Sequence, residues 1–158
     1  MRKFKSKKKI YQPDPKFKET LVTRFVNHLM KNGKKTIAYK IFYKSIDEIE
    51  KKKDNKKKSG IEIWKKALKN VMPHVEVRSR RIGGSNIQIP TPIKPYVKVT
   101  KAMKLLINCA RKRNEKSMSK KLAEETLSAS KKEGTAFKKR ETIHKIAEAN
   151  KAFSHFRF

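Results

Sequence analysis

One segment departs from everything around it. Between Pro73 and the prolines at 90, 92 and 95 lies HVEVRSRRIGGSNIQIP, residues 74–90. Val75 and Val77 alternate with Glu76 and Arg78, and Ile87 and Ile89 alternate with Asn86 and Gln88. A period of two predicts two half-buried strands whose valines and isoleucines form one apolar face. Gly83-Gly84 fits the tight turn between them better than it fits a phosphate loop. The rest of the chain reads as helix. So the fold has to accommodate one hairpin whose bend carries Arg78, Arg80, Arg81 and an exposed-looking Ile82.

The flanking segments have apolar residues three and four apart. Helix one is expected from Glu19 to Lys31, burying Leu21, Val22, Phe25, Val26 and Leu29, after a rigid turn at Pro13-Asp14-Pro15. Asn32-Gly33 stops it. Helix two begins near Lys35, with Ile37, Ile41, Phe42, Ile46 and Ile49 inward, and runs into KKKDNKKK, residues 51–58, read as a solvated loop. Ser59 and Glu62 have capping-box spacing, and helix three follows with Ile61, Trp64, Leu68 and Val71 inward. Pro73 ends it. IPTPIKP, residues 89–95, reads as an extended connection. Helix four is expected from about Thr100 to Arg113, burying Ala102, Leu105, Leu106 and Cys109. Ser117 caps helix five, which carries Leu122, Ala123 and Leu127. Helix six starts near Thr135 with Ile143, Ile146 and Ala147 inward. The fold class is therefore mainly α. A single domain, residues 11–158, has about six helices and a β-hairpin at about 74–90 between helices three and four, preceded by a basic arm at residues 1–10.

Charge decides the class of partner. Lys and Arg number 44 against 14 Asp and Glu, a formal net charge of +30. Self-repulsion at that level disfavours compaction unless a polyanion is near. Nucleic acid is the commonest one, since neutralised phosphates release counterions. A membrane surface would call for one basic amphipathic helix, whereas these cations are spread along the chain. No stretch has the length and apolarity of a membrane span. The basic first residues, MRKFKSKKKI, are not followed by the apolar region of a signal peptide. The single Cys109 has no intramolecular partner, which points to a reducing compartment.

The residues of catalysis do not assemble. His28, His74, His144 and His155 have no metal-ligand spacing with Cys109, and no Walker loop or Gly-x-Gly-x-x-Gly occurs. Cys109 lies on an apolar helix face and reads as a small buried residue. Asp47, Glu48 and Glu50 read as solvated partners of lysines. Neither an enzyme nor a metal or other cofactor is expected. The cations are more informative. Arg78, Arg80 and Arg81 offer planar multidentate donors on a projecting element. Arg111, Lys112, Arg113 and Lys116 gather at the end of helix four, where the helix dipole accounts for one cation better than for four. Lys138, Lys139 and Arg140 are placed in the first turn of helix six, where they oppose the dipole and call for an external anion. Lys34 and Lys35 repeat that argument at helix two.

Several blocks together resemble the small-subunit ribosomal protein seven family, in its bacterial form. They are VNHLMKNGKK ending at Lys35, ALKNVMPHVEVRSRRIGGSNIQIP from Ala67, ARKRNEKSM from Ala110, and KKRETIHKIAEANKAFSHFRF from Lys138, with the PDP turn. The likeness covers nearly the whole chain in order and starts near its first residues, which argues against a cleaved transit peptide. It implies a helical domain with a protruding hairpin that binds the 3′ major (head) domain of small-subunit ribosomal RNA early in head assembly. It implies a place near exit-site transfer RNA and messenger RNA, beside ribosomal protein eleven and other head proteins, in cytoplasmic ribosomes. By matching positions, Arg78, Arg80, Arg81, Ile82, Gly83 and Gly84 would face messenger and transfer RNA. Arg2, Lys3, Lys5, Lys7, Lys8 and Lys9 of the arm, with Lys34, Lys35, Arg111, Arg113 and Lys116, would face ribosomal RNA, and Lys138, Lys139 and Arg140 join them on the dipole argument. The chain departs from the family in GGSNIQIP, which lacks the usual aromatic, and in PIKPYVKVT, which is poorer in arginine. The alternative is a free-standing basic protein that grips DNA or RNA; a third possibility is an RNA-processing enzyme.

Overall fold

The computed structural model describes residues 11–52 and 59–156. Among them run α1 (Thr20–Leu29), α2 (Lys35–Lys52), α3 (Gly60–Val71), β1 (Val75–Ile82), β2 (Ser85–Pro92), α4 (Pro95–Arg111), α5 (Met118–Ser130), α6 (Gly134–Ala149) and a closing 3-10 helix (Lys151–Phe156). The expected basic arm, residues 53–58 of the basic loop and the last two residues lie outside the described residues.

The first three helices meet around aromatic rings. Trp64 of α3 is 1% exposed. Its indole stands edge-on to Phe25 of α1 and Phe42 of α2, each at 5.3 Å between centroids. Edge-on packing sets a positive ring edge against a negative face, in addition to the area removed from water. Val22, Val26, Ile46, Ile49, Leu68 and Val71 complete this part of the core. The PDP turn is held from inside. Asp14 is buried, accepts from the Lys16 and Phe17 amides at 3.1 and 3.0 Å, and takes the Tyr43 hydroxyl at 2.8 Å. Burial, with the Asp14 bond, pushes the Tyr43 phenol well above its ordinary value.

Helix ends follow local chemistry, with three differences from expectation. Glu62 reaches back to the Ser59 amide at 3.2 Å, as the capping box requires. The Ser117 hydroxyl accepts from the Lys120 amide at the start of α5. First, α2 continues through Lys51 and Lys52, where Lys51 pairs with Glu48 and Lys52 with Glu124. Second, α4 starts at Pro95 rather than near Thr100, because a proline at the first helical position lacks only an amide that would have no helical partner anyway. It also stops at Arg111 rather than Arg113. Third, Ile37 and Ile146 were expected inside and are 50% and 40% exposed. Ile37 lies in the first turn of α2, beyond the aromatic core. Ile143 and Ile146 turn toward the hairpin.

One carboxylate joins the second half. Glu125 of α5 is fully buried. Its Oε2 takes the Arg113 Nε at 2.7 Å. Its Oε1 takes the Thr135 hydroxyl at 3.0 Å and the Ala136 amide at 2.7 Å. The segment just after α4, the middle of α5 and the start of α6 therefore converge on one side chain. Gly134 sits beside it at φ +85°, and a Cβ there would come within 2.9 Å of the Ser128 Cβ. Both the backbone conformation and the space call for glycine.

The hairpin is longer than expected, running to Pro92. Pro90 and Pro92 are two residues apart, so both lack their amide on the edge away from β1, where no ladder bond is lost. Gly83 and Gly84 both have positive φ, +56° and +87°, which makes the two-residue turn that matches strand twist. The register pairs Val77 with Pro90, Arg78 with Ile89 and Arg80 with Ile87. The valines and isoleucines thus lie on opposite faces, whereas a single shared apolar face was expected. Ile82 is partly covered rather than exposed.

Two outcomes test this packing. Trp64→Ala should lower stability by about 3–5 kcal/mol, the usual loss for a large core side chain, read from the urea midpoint. An unchanged midpoint would remove the ring from the core. Glu125→Ala should cost about 3 kcal/mol by leaving the Arg113 charge without its main partner. Arg113→Met in the same chain should recover part of that loss; additive losses would mean the pair is not coupled.

Candidate nucleic-acid interface

The predicted cations fall into three sets with different surroundings. The first is the hairpin. Its base packs against α6 and the 3-10 helix, while its tip is open. Arg78, Arg80 and Arg81 are all exposed, as are Gly83 and Gly84. Alternation places Arg78 and Arg80 on the face of Ile87 and Ile89, and Arg81 on the other face. Arg78 is also a structural residue, because its Nε donates to Glu76 at 2.6 Å. Glu76 in turn pairs with Lys101 of α4, so one carboxylate ties the hairpin to the helical body.

The other side of the hairpin base rests on α6. The His74 amide donates to the His144 Nε2 at 3.2 Å, with the two rings 5.8 Å apart. Burial, with Arg140 nearby, holds the His144 imidazole below its ordinary value. The neutral ring is the form that can accept this bond.

The second set surrounds an apolar groove of about 310 Å³ lined by Leu29, Met30, Ile37, Ile41 and Met118. Lys31, Lys34 and Arg111 stand at its rim. Arg111 is fixed there by donating to the Leu29 carbonyl at 3.3 Å. Lys34 and Arg111, far apart in sequence, are thus brought together, and Lys35 and Lys116 are exposed. Lys31 went unnoticed in the sequence; its place three residues before Lys34, across the Asn32-Gly33 turn, was the available signal.

Arg113 behaves otherwise. It is half-buried, with Nε on Glu125, Nη1 on Glu115 at 3.1 Å and Nη2 on Ser128 at 3.2 Å. Its donors face inward, which differs from the expected RNA-facing role.

The third set also differs. α6 starts at Gly134, so Lys138, Lys139 and Arg140 lie in its second turn, not its first. The carboxylate that suits the helix start is internal, since Glu125 takes the Ala136 amide. The argument for an external anion at this helix terminus therefore fails. Lys138 and Lys139 remain exposed. Arg140 is half-buried, pairs with Glu141 and lies over the Phe137 ring at 4.4 Å.

A further groove, of about 470 Å³, was not anticipated. It runs between the Arg78–Arg80 face of the hairpin and the start of α4. Ile89, Ile93 and Val97 supply apolar lining, and Lys94 and Tyr96 stand opposite the arginines. Tyr96 escaped notice because Pro95 was read as part of an extended connection. Cys109 is buried, which pushes its thiol up and leaves it unsuited to nucleophilic attack. Among the described residues no group of three metal-ligating side chains comes together, and no helix is long and apolar enough to cross a membrane.

Comparison with known proteins gives these features a family. The family model described as ribosomal protein S7p/S5e matches residues 1–151. A small ribosomal subunit protein uS7 from Karelsulcia muelleri is 77% identical over 158 residues, covering all of both chains. Proteins of the same name from Flavobacterium johnsoniae and Bacteroides fragilis are 62% and 52% identical, again over the full length of both chains. With nearly every residue matched, the helical body and its arginine hairpin belong to the ribosomal protein S7p/S5e family.

Proposed function

We propose that this chain is a structural constituent of the small ribosomal subunit that binds the 3′ major domain of its RNA, helps nucleate assembly of the head, and contacts exit-site transfer RNA and messenger RNA through its hairpin. The coarser part follows from the family, whose members are ribosomal proteins rather than enzymes. On this reading the protein works in cytoplasmic ribosomes, beside ribosomal protein eleven and other head proteins.

The observation that carries the finer part is the division of charge. Carboxylates hold the fold together: Asp14 in the PDP turn, Glu76 at the hairpin base, Glu125 between three helices. With 14 acids against 44 bases, one cation per acid still leaves the net +30 for outside partners. The exposed cations include Lys34, Lys35 and Lys116 on the body and Arg80 and Arg81 on the hairpin. The body cations suit ribosomal RNA. The hairpin arginines suit a second RNA partner beyond the body, through charge-assisted hydrogen bonds to phosphate. Lys138 and Lys139 are retained as ribosomal RNA contacts on exposure alone. The arm residues Arg2 to Lys9 belong to the same proposal on the family resemblance.

Salt dependence tests the body. Log affinity for a head-domain RNA fragment should fall linearly with log salt. Lys138→Gln with Lys139→Gln should flatten the slope by roughly 1.5, the loss of two phosphate contacts; an unchanged slope would leave these lysines in solvent. The hairpin is tested in assembled subunits. Arg80→Ser with Arg81→Ser keeps Arg78, and with it the link to Glu76, so melting and gradient sedimentation should be near normal. Filter binding should then show weaker retention of exit-site transfer RNA or upstream messenger. Failed assembly with normal retention would assign these arginines to ribosomal RNA instead.

A further inference from the structure

The groove between β1 and the start of α4 contains an uncommon combination of groups. Tyr96 is 67% exposed, more than any other large apolar or aromatic side chain recorded as exposed among the described residues. It does not contribute to the core, yet it lines the same groove as the buried Ile89 and Ile93. Cations stand on both sides, Arg80 from the hairpin and Lys94 from the residue before α4. The one carboxylate in the groove, Glu76, is already engaged by Arg78 and Lys101, so it does not repel an incoming phosphate.

An aromatic face flanked by cations is a platform for a base with its phosphate attached. We propose that this groove binds one unpaired nucleotide of RNA, with its base stacked on Tyr96 and its phosphate held between Arg80 and Lys94. The inference rests on the RNA-binding function proposed above and names the part of the RNA that this groove takes. A base within a duplex has both faces covered by its neighbours, so Tyr96 selects a nucleotide that is bulged, looped or at a strand end. The volume of about 470 Å³ accommodates a ligand of that size. The groove's only carboxylate is occupied, so base identity is read weakly and stacking dominates. The site joins this chain's own PIKPYVKVT segment, which supplies Tyr96 and Lys94, to Arg80 on the hairpin.

Fluorescence anisotropy on the full-length protein tests this with two probes. One is an eight-nucleotide oligoadenylate; the other is an abasic ribose-phosphate chain of the same length and charge. Tyr96→Ala should weaken oligoadenylate binding about ten-fold, the effect of losing one stacked base, and leave the abasic chain unchanged. Tyr96→Phe should bind as the wild type does. Since the protein is basic everywhere, a local signal is added: Tyr96→Trp should emit as an exposed tryptophan against the buried Trp64 background. Oligoadenylate should quench it and the abasic chain should not. Equal loss on both probes, no loss on either, or an unquenched tryptophan would overturn the stacking site. If the wild type binds the head-domain RNA fragment while Tyr96→Ala matches it on oligoadenylate, only this inference fails. If the wild type binds neither RNA, the proposed function fails with it.

Discussion

The buried carboxylate of Glu125 is the contact on which the second half of the molecule depends. An ionised group taken from water needs charged and hydrogen-bonding partners to offset its lost hydration. Glu125 finds them in the Arg113 guanidinium, the Thr135 hydroxyl and the Ala136 amide. The partners come from the segment just after α4 and from the start of α6, so satisfying the charge ties both to α5 at once. It places the start of α6. α6 then presents Ile143, Ile146 and His144 to the hairpin base. The direction in which the hairpin leaves the body therefore depends, two steps removed, on a side chain in α5. Glu76 repeats the arrangement from the other side by joining the hairpin to Lys101 of α4.

This use of carboxylates has an electrostatic consequence. In most proteins acids and bases mix on the surface and screen each other. Here most of the described acids are drawn inward or into specific pairs or caps, and the exposed charges are mostly bases. Such a chain resists compaction at low salt and is stabilised by anything polyanionic that binds only the folded form. Stability and RNA binding are thus linked through the same charges. The aromatic contacts among Phe25, Phe42 and Trp64 do not depend on salt in this way, and they hold the first three helices together against the repulsion.

Much of this was legible in the sequence, and the failures share physical causes. The apolar faces of α1, α3 and α5, the capping box at Ser59 and the Ser117 cap are short-range patterns, and they stand where the spacing put them. Trp64 was identified as core from its phase alone. The start of α4 was missed because proline both breaks and begins helices, and only the surrounding backbone decides which. The hairpin faces were misjudged because alternation within each strand does not give the register between strands; the Gly83-Gly84 turn sets that, and it places valines opposite prolines. The internal bonding of Arg113 and the helix turn of Lys138 were misjudged for one reason. Their setting depends on Glu125, which looks like any helix-surface glutamate until α6 folds over it. Tyr96 followed from the misplaced helix start.

The register also changes what the hairpin can do. In the run Arg78-Ser79-Arg80-Arg81, the first and third positions share a face and the fourth takes the other. Arginines at alternate positions only would have charged one face, suited to lying flat on a single RNA surface. The added Arg81 charges the second face as well. Near the base the valine face meets α6 and the isoleucine face borders the groove against α4. Toward the tip both are open. The ribbon is thus anchored at its root and cationic on both faces toward its end. On that geometry Arg80 and Arg81, though adjacent in sequence, leave the ribbon from opposite faces. The tight glycine turn then matters for its thinness as much as for its conformation, because no side chain widens the leading edge.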